Sequence, residues 1–364
     1  MRLEPRLAMN RRGFLGSCLE QRSSTNPGGT LGGTPQGVGL PAYLSSFSRR
    51  AMGTVFSVQM PVNLATGQTL ATRALDEIDR LERVFTVYQA GSEVSRLNQL
   101  AHERPISMSD EVFDILSLAQ RLNAETAGAF DVTTGPFSKA WGFFERRPRI
   151  PTEDARAAAS RVVGMDHVRL DHASRTLQFD TPGIEINLGS IGKGYALDRA
   201  ADLLRRGSVR AALLDAGRSS VLAIGHPPEE RGWLIGIADP RRPEVARPRS
   251  FLGVVARIWL RDRALATSAA TYQFIDHNGK RLGHTIDPRT GWPAQGIESA
   301  TVLAPTAAEA DALSTAFFIM GVDAALAYCA SHPSISAIMV PATGSILTIG
   351  LPTESVDWIA GSAA

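Results

Sequence analysis

Cysteine is almost missing from this chain: Cys18 and Cys329 are the two in 364 residues. Two thiols so placed form neither a disulfide framework nor a metal-type cluster, and they leave the redox compartment open. An excess of charge is missing as well. Lys and Arg total 38 against 36 Asp and Glu, a formal charge of +2. That balance gives no sustained electrostatic grip on nucleic acid or on an anionic membrane. No segment reads as the run of about 20 apolar residues that crosses a bilayer. Internal repeats are absent too.

Hydrophobic residues make up 44% of the chain, ample for a core, and the length of 364 fits two or three domains or one large α/β domain. The N-terminus stands apart. "MNRRGFLGSCL" (Met9–Leu19) pairs Arg11 and Arg12 with Gly-Phe-Leu, and "LGSC" loosely resembles a lipoprotein cleavage box. Export signals need about 7–15 apolar residues, and Gly13–Leu19 barely reaches that before Glu20, Gln21 and Arg22. Two readings stand: a working signal, which places the protein in the periplasm or anchors it to the outer face of the cytoplasmic membrane, and a decayed start, which leaves it in the cytoplasm. Residues 23–41 are rich in Gly, Pro, Ser and Thr and read as a linker. Residues 1–43 are thus expected to be a disordered tail, and 44–360 a single catalytic domain.

Within that domain, "TVFSVQM" (Thr54–Met60) alternates like a strand, whereas Thr69–Phe85 and Asp110–Gly128 repeat apolar residues like amphipathic helices. Ser109 is placed to cap the second helix. Asp198–Arg206 carries a further helical stripe, stopped by Gly207. Strand-like runs follow: "VRAALLDA", "SVLAIG", "WLIGIAD", "FLGVVARIWL", "ATVLAP" and "SISAIMV". Neighbouring strands with helices clustered elsewhere predict an α+β layered fold rather than regular βαβ winding.

Several stretches carry chemistry. "NLGSIGKGYALDRA" (Asn187–Ala200) puts three glycines and Lys193 where a turn enters a helix. Such a turn either cradles an anion on its N–H groups, with the lysine adding charge, or serves close packing. It is neither a Walker loop nor a dinucleotide fingerprint. "PTAAEADALSTAFFIMG" (Pro305–Gly321) opens with Thr306 and Glu309 spaced as a capping box and ends at a glycine terminator. Asp311 and Thr315 lie four apart on one helical face. Together they suit a hard cation such as Mg²⁺, unless Thr315 only bonds back to a carbonyl. "HTIDPRTGWPA" (His284–Ala294) crowds an imidazole, a carboxylate and a guanidinium onto one turn after Asn278-Gly279. His284 titrates in the range useful for moving protons, or is a hydrogen-bonded loop histidine. Arg289 either clamps an anion or ties the turn together. Tyr88 and Phe130 either flank a flat ring or belong to the core. "ATSAATY" (Ala266–Tyr272) offers hydroxyls beside small residues.

Taken in order from Met52 to Gly321, these stretches resemble the ApbE family, the FAD:protein FMN transferases. The resemblance implies an ApbE-like layered α/β fold that holds FAD and Mg²⁺. It implies transfer of FMN from FAD to a threonine hydroxyl of an acceptor protein, such as a membrane-bound redox subunit, with release of AMP. Some relatives hydrolyse FAD to FMN and AMP instead, and a flavin binder without catalysis is a further alternative. By the same resemblance Met52, Tyr88, Ala129, Phe130, Asp131, Asn187, Lys193 and Thr285 match cofactor-binding positions. Asp311, Thr315 and the carbonyl of Ser190 match metal ligands, and His284 and Asp287 match the histidine and aspartate of the "H-x-I-D-P" signature. Departures are visible. The usual "DLGGIAKGY" reads "NLGSIGKGY", "NAGGD" reads "DAGRSS" with Arg218, and "ATSGxY" reads "ATSAATY".

Residues 1–41 have little apolar material to bury. Deleting them is expected to leave the melting temperature and FAD affinity nearly unchanged, and a large fall in melting temperature would locate folded structure inside that segment.

Overall fold

The computed structural model describes residues 15–17, 44–62, 66–241, 253–269, 274–277, 279–351 and 356–358. The twin arginine, the linker, Tyr272 and Asn278 lie outside them. In chain order the elements are β1 (Leu15–Ser17), β2 (Leu44–Ala51), β3 (Thr54–Pro61), α1 (Gly67–Phe85), α2 (Glu93–Leu100), β4 (Ile106–Ser107), α3 (Asp110–Glu125), α4 (Gly135–Ala140) and α5 (Glu153–Ser160). Then come β5 (Val168–Asp171), β6 (Thr176–Phe179), α6 (Gly192–Arg206), β7 (Ala212–Ala216), β8 (Ser220–Ile224), β9 (Trp233–Ala238), β10 (Val254–Leu260) and β11 (Ala264–Ala269). The chain continues through β12 (Phe274–His277), β13 (Lys280–Gly283), β14 (Ile297–Ala304), α7 (Ala307–Ser331), β15 (Ser336–Pro341), β16 (Leu347–Ile349) and β17 (Val356–Trp358).

An eight-stranded antiparallel sheet, ordered β16-β15-β14-β11-β8-β7-β3-β2, forms the middle layer. Its central strands, β7, β8, β14 and β15, are buried on both faces, and the period of two sorts their residues. Leu214, Ala216, Leu222, Ala264, Ala266, Ala300 and Val302 face the main core, packed under α1, α6 and α7. Leu213, Val221, Ala223, Leu265 and Leu303 face the opposite way, onto β9 and β10 of a second sheet ordered β1-β9-β10-β17. The result is the expected α+β layering. Alanine recurs on the helix-facing side, which lets the helices approach closely. A third, smaller core of Phe137, Trp141, Phe143, Ala159, Leu282 and Ile286 joins α4 and α5 to the β12–β13 hairpin.

The predicted helices and strands appear with shifted ends. Ser109 caps α3, its Oγ accepting from Val112 N at 3.4 Å. Thr306 Oγ1 accepts from Glu309 N at 3.2 Å and donates to Glu309 Oε2 at 3.0 Å. Four expectations change. The α6 helix begins at Gly192, inside the glycine-rich stretch, rather than at Asp198. Leu15–Ser17, read as tail, pairs with β9 as an edge strand. The chain also does contain a helix long and apolar enough to cross a membrane, α7. Its apolarity serves the core instead: Leu313, Ala316, Phe317 and Phe318 are buried there. Gly321, at φ 83°, breaks the helix rather than ending it.

The α6 and α7 helices meet at their N-terminal ends. A Cβ built on Gly194 would overlap the carbonyl of Ala307, so only glycine permits this approach. Asp198 on α6 then reaches across to accept from Ala307 N at 2.8 Å and Ala308 N at 2.9 Å, capping α7 from outside. Burial still pushes the Asp198 carboxyl up to about 6. Asp215, at the end of β7, is also buried; desolvation raises it to about 6 while the N–H and charge of Arg218 pull the other way.

Replacing Gly194 with alanine should force the two helices apart. Overpacking of this kind costs about 1–3 kcal/mol, and the check is a denaturant melt beside wild type; undiminished stability would show that the crossing relaxes freely. Asp215 gives a pH-dependent prediction. Folded, it keeps its proton up to about pH 6; unfolded, only to about 3.8. Stability should therefore fall as pH rises through that window, because the folded state binds more protons there. Asp215→Asn keeps the acceptor without the charge. It should be more stable than wild type at pH 7.5 by on the order of 1–3 kcal/mol, with the advantage gone near pH 4. Parallel melting curves across that range would contradict the burial penalty.

Candidate active site

Asp311 sits in the first turns of α7, 5% exposed. Its Oδ1 accepts from Ser220 Oγ at 2.9 Å and its Oδ2 from Gly194 N at 3.1 Å. Lys193 Nζ stands 3.3 Å from Oδ1 and 3.2 Å from Oδ2, and also donates to the Gly189 carbonyl at 3.2 Å. The sheet supplies the hydroxyls by its alternation. Ser220 shares the helix-facing side of β8 with Leu222, and Ser268 that of β11 with Ala264 and Ala266. Ser268 Oγ lies 2.9 Å from Ser314 Oγ and 3.2 Å from Thr315 Oγ1. Thr267 points the other way and pairs with Thr301 at 2.8 Å. Thr315 also reaches back to the Asp311 carbonyl, but at 3.4 Å, too long for a strong hydroxyl bond.

Because Gly194 N is turned to Asp311, the first turn of α6 leaves the Ser190 carbonyl without a hydrogen-bond donor among the described residues. Asn187 closes the preceding bend, its Oδ1 accepting from Gly189 N at 2.9 Å. Asn187 N in turn donates to Val132 O at 2.7 Å, which ties this motif to the 128–137 loop. Among the described residues no three His, Cys, Asp or Glu side chains cluster. The donor set at Asp311 is instead carboxylate, hydroxyl and carbonyl oxygen, which suits a hard cation.

The His284 turn is built on the third core. Trp141 Nε1 donates to Gly291 O at 3.0 Å, and Arg156 to Thr290 O at 3.3 Å. Ile286 pairs with Pro293 in an isolated bridge, and Ala294 N donates to Thr285 O at 2.9 Å. His284 is exposed and meets the Phe143 ring edge-on, centroids 6.4 Å apart. Arg289 grips Asp287 through Nε at 2.8 Å to Oδ1 and Nη2 at 2.8 Å to Oδ2. Of the two readings for Arg289, tying the turn is the one its geometry supports, and Asp287 is its partner there.

The flavin-side candidates separate by burial. Phe130 and Ala129 are enclosed in the core, so neither ring face of Phe130 is open. Asp131 is buried and accepts from Thr133 N and Oγ1, Asn123 Nδ2 and Met165 N, with desolvation raising its carboxyl. All of its donors are internal, so it fastens the loop. Tyr88 is 70% exposed and stacks on Phe144, centroids 4.9 Å apart. Met52 has φ 48° in the β2–β3 turn, and its N–H donates to Glu82 at 2.7 Å. Phe144, Ser220 and Ser314 were not singled out by sequence. The serines signal themselves only once strand register and helix phase are fixed.

One cluster thus links Lys193, Asp311, Thr315, Ser220 and Ser268, and the His284 turn abuts the same 128–137 loop through Arg289, whose Cγ is the neighbour a Cβ on Gly128 would meet. Comparison with known proteins gives the family. A family model described as the ApbE family matches residues 52–358. An FAD:protein FMN transferase of Haemophilus influenzae is 36% identical over 293 residues, covering 77% of this chain and 82% of the relative. One from Vibrio cholerae is 32% identical over 313 residues, covering 83% and 89%. Among solved structures, the flavin transferase ApbE from Vibrio cholerae superposes with a TM-score of 0.74 at 28% identity, over 85% of this chain and 98% of that one. The ApbE protein from Thermotoga maritima gives 0.74 at 28% identity, over 84% and 97%. The chain belongs to the ApbE family.

Proposed function

We propose that this protein is an FAD:protein FMN transferase, Mg²⁺-dependent, that moves FMN from FAD to a threonine hydroxyl of an acceptor protein and releases AMP. The observation that carries the reading is the buried Asp311 carboxylate, held by Lys193, Gly194 N and Ser220, with the Thr315 hydroxyl one helical turn further along α7. Asp311, Thr315 and Ser190 would hold the cation. A Mg²⁺ held there would supply neutralisation of the charge that builds on phosphate oxygens as the pyrophosphate breaks.

The chain's own groups supply the rest. The α6 N-terminus and Lys193 offer positive potential to the substrate phosphates. Tyr88, backed by Phe144, presents an aromatic face on which a flat ring stacks. The threonine oxygen forms a bond to the FMN phosphorus while the bond from that phosphorus to the bridging oxygen breaks, and AMP leaves with that oxygen. His284 takes the hydroxyl proton, and Asp287 and Arg289 hold its turn in place. Hydrolysis of FAD uses the same groups with water in place of threonine.

The test incubates the purified protein with FAD and Mg²⁺, with and without a threonine-bearing acceptor. Acceptor-dependent AMP release is the expected outcome. Acceptor-independent release would make the protein a pyrophosphatase, and no release would make it a binder. In the same assay His284→Asn should lose about 10²–10⁴-fold in rate with flavin-fluorescence binding of FAD retained. Unchanged turnover with weakened FAD binding would make His284 a cofactor contact.

A further inference from the structure

Lys193 stands where two demands conflict. It lies in the first turn of α6, the end of a helix at which a cation is disfavoured by the macrodipole. Its salt bridge partner Asp311 is almost fully buried. The ammonium is 3.2–3.3 Å from both carboxylate oxygens, longer than the 2.7–2.9 Å of a tight charge-assisted bond. The lysine stem is flexible, and its head is a compact point charge. Gly194 N and Ser220 Oγ hold the carboxylate independently, so Asp311 keeps its place when the ammonium leaves.

We propose that Lys193 is a built-in competitor for the cation site. With no divalent ion on Asp311, its ammonium neutralises the carboxylate. When Asp311 ligates a divalent ion, the ammonium is displaced and becomes available to the phosphates of FAD. Metal and FAD then each favour binding of the other, and by linkage the two effects are equal. The inference rests on the transferase reading of the site, and it adds an order to it: Lys193 suppresses unproductive metal binding to the empty enzyme.

Two titrations of the full chain test this without turnover. Mg²⁺ is titrated calorimetrically with no FAD present, and FAD is titrated by flavin fluorescence in EDTA. Lys193→Met should bind Mg²⁺ more tightly than wild type, by roughly tenfold, within the range usual for coupled sites. The same variant should bind FAD more weakly in EDTA. Asp311→Asn should bind FAD more tightly in EDTA, because Lys193 is released from its partner. Lys193→Gln, which retains a hydrogen-bonding head, should reproduce the methionine result and covers the case in which methionine does not fold. Unchanged or weaker Mg²⁺ binding by folded Lys193 variants overturns the proposal, as does unchanged FAD binding by Asp311→Asn. A wild type that binds neither FAD nor Mg²⁺ overturns the transferase reading as well. A wild type that binds both, with unshifted variants, overturns only the competitor role.

Discussion

The structure turns on satisfying one buried carboxylate inside a packed junction. An isolated buried carboxylate is costly, and it persists where hydrogen bonds and an opposite charge replace water. Asp311 has all of these: a backbone N–H from α6, a hydroxyl from β8 and the Lys193 ammonium. Two come from α6 and one from β8, while Asp311 itself sits on α7, so the carboxylate can be satisfied only after the helices and sheet have assembled. The missing side chain of Gly194 is what lets the N–H reach it. Local sequence and long-range packing are coupled at this single point.

That coupling also explains the distribution of residue types on the sheet. The strands under α7 carry alanine where the helix must lie close, and serine where it meets Asp311, Ser314 and Thr315. Toward the second sheet they carry leucine and valine, filling the space between layers. The His284 turn is supported differently. It rests on Trp141 and Phe137 of a separate small core, and Gly291, at φ 70°, avoids the Phe137 ring that a Cβ would strike. The 128–137 loop, with its internally bonded Asp131, touches both the His284 turn and the glycine-rich turn before α6.

Much of this was legible in the sequence because it rests on local rules. The Thr306–Glu309 cap, the pairing of Asp311 with Thr315 at helical spacing and the glycines before Lys193 all depend on neighbours within a few residues. The runs of β3, β7, β8, β14 and β15 in the middle sheet were visible for the same reason. Long-range facts were not. Phe130 and Asp131 resemble ligand-facing residues in sequence, yet one is sealed in the core and the other spends its oxygens on four internal donors. The β11 strand was hidden because Ala264–Ala269, with Leu265 its one large residue, does not alternate apolar and polar side chains. The first half of α7 has no polar stripe, since Ala307–Phe318 is almost wholly buried in core, and periodicity alone does not say what surrounds it.

The "DAGRSS" tip shows how a departure from the family pattern is absorbed. The β7–β8 hairpin closes through Gly217 at φ 66° and Arg218 at φ 60°. Left-handed backbone at a non-glycine residue costs roughly 1–2 kcal/mol. Asp215 offsets part of this, because its Oδ1 accepts from Arg218 N at 2.7 Å and fixes the turn. Gly217 cannot change in the same way, for a Cβ there would overlap Thr54 on β3. Only the second position of the pair was therefore open to a side chain. The two changes support each other: the arginine stabilises the buried carboxylate electrostatically, and the carboxylate holds the arginine's backbone in its strained conformation. The Ser220 hydroxyl that opens β8 just beyond the tip donates to Asp311, so the arginine at the tip is accommodated without disturbing that bond.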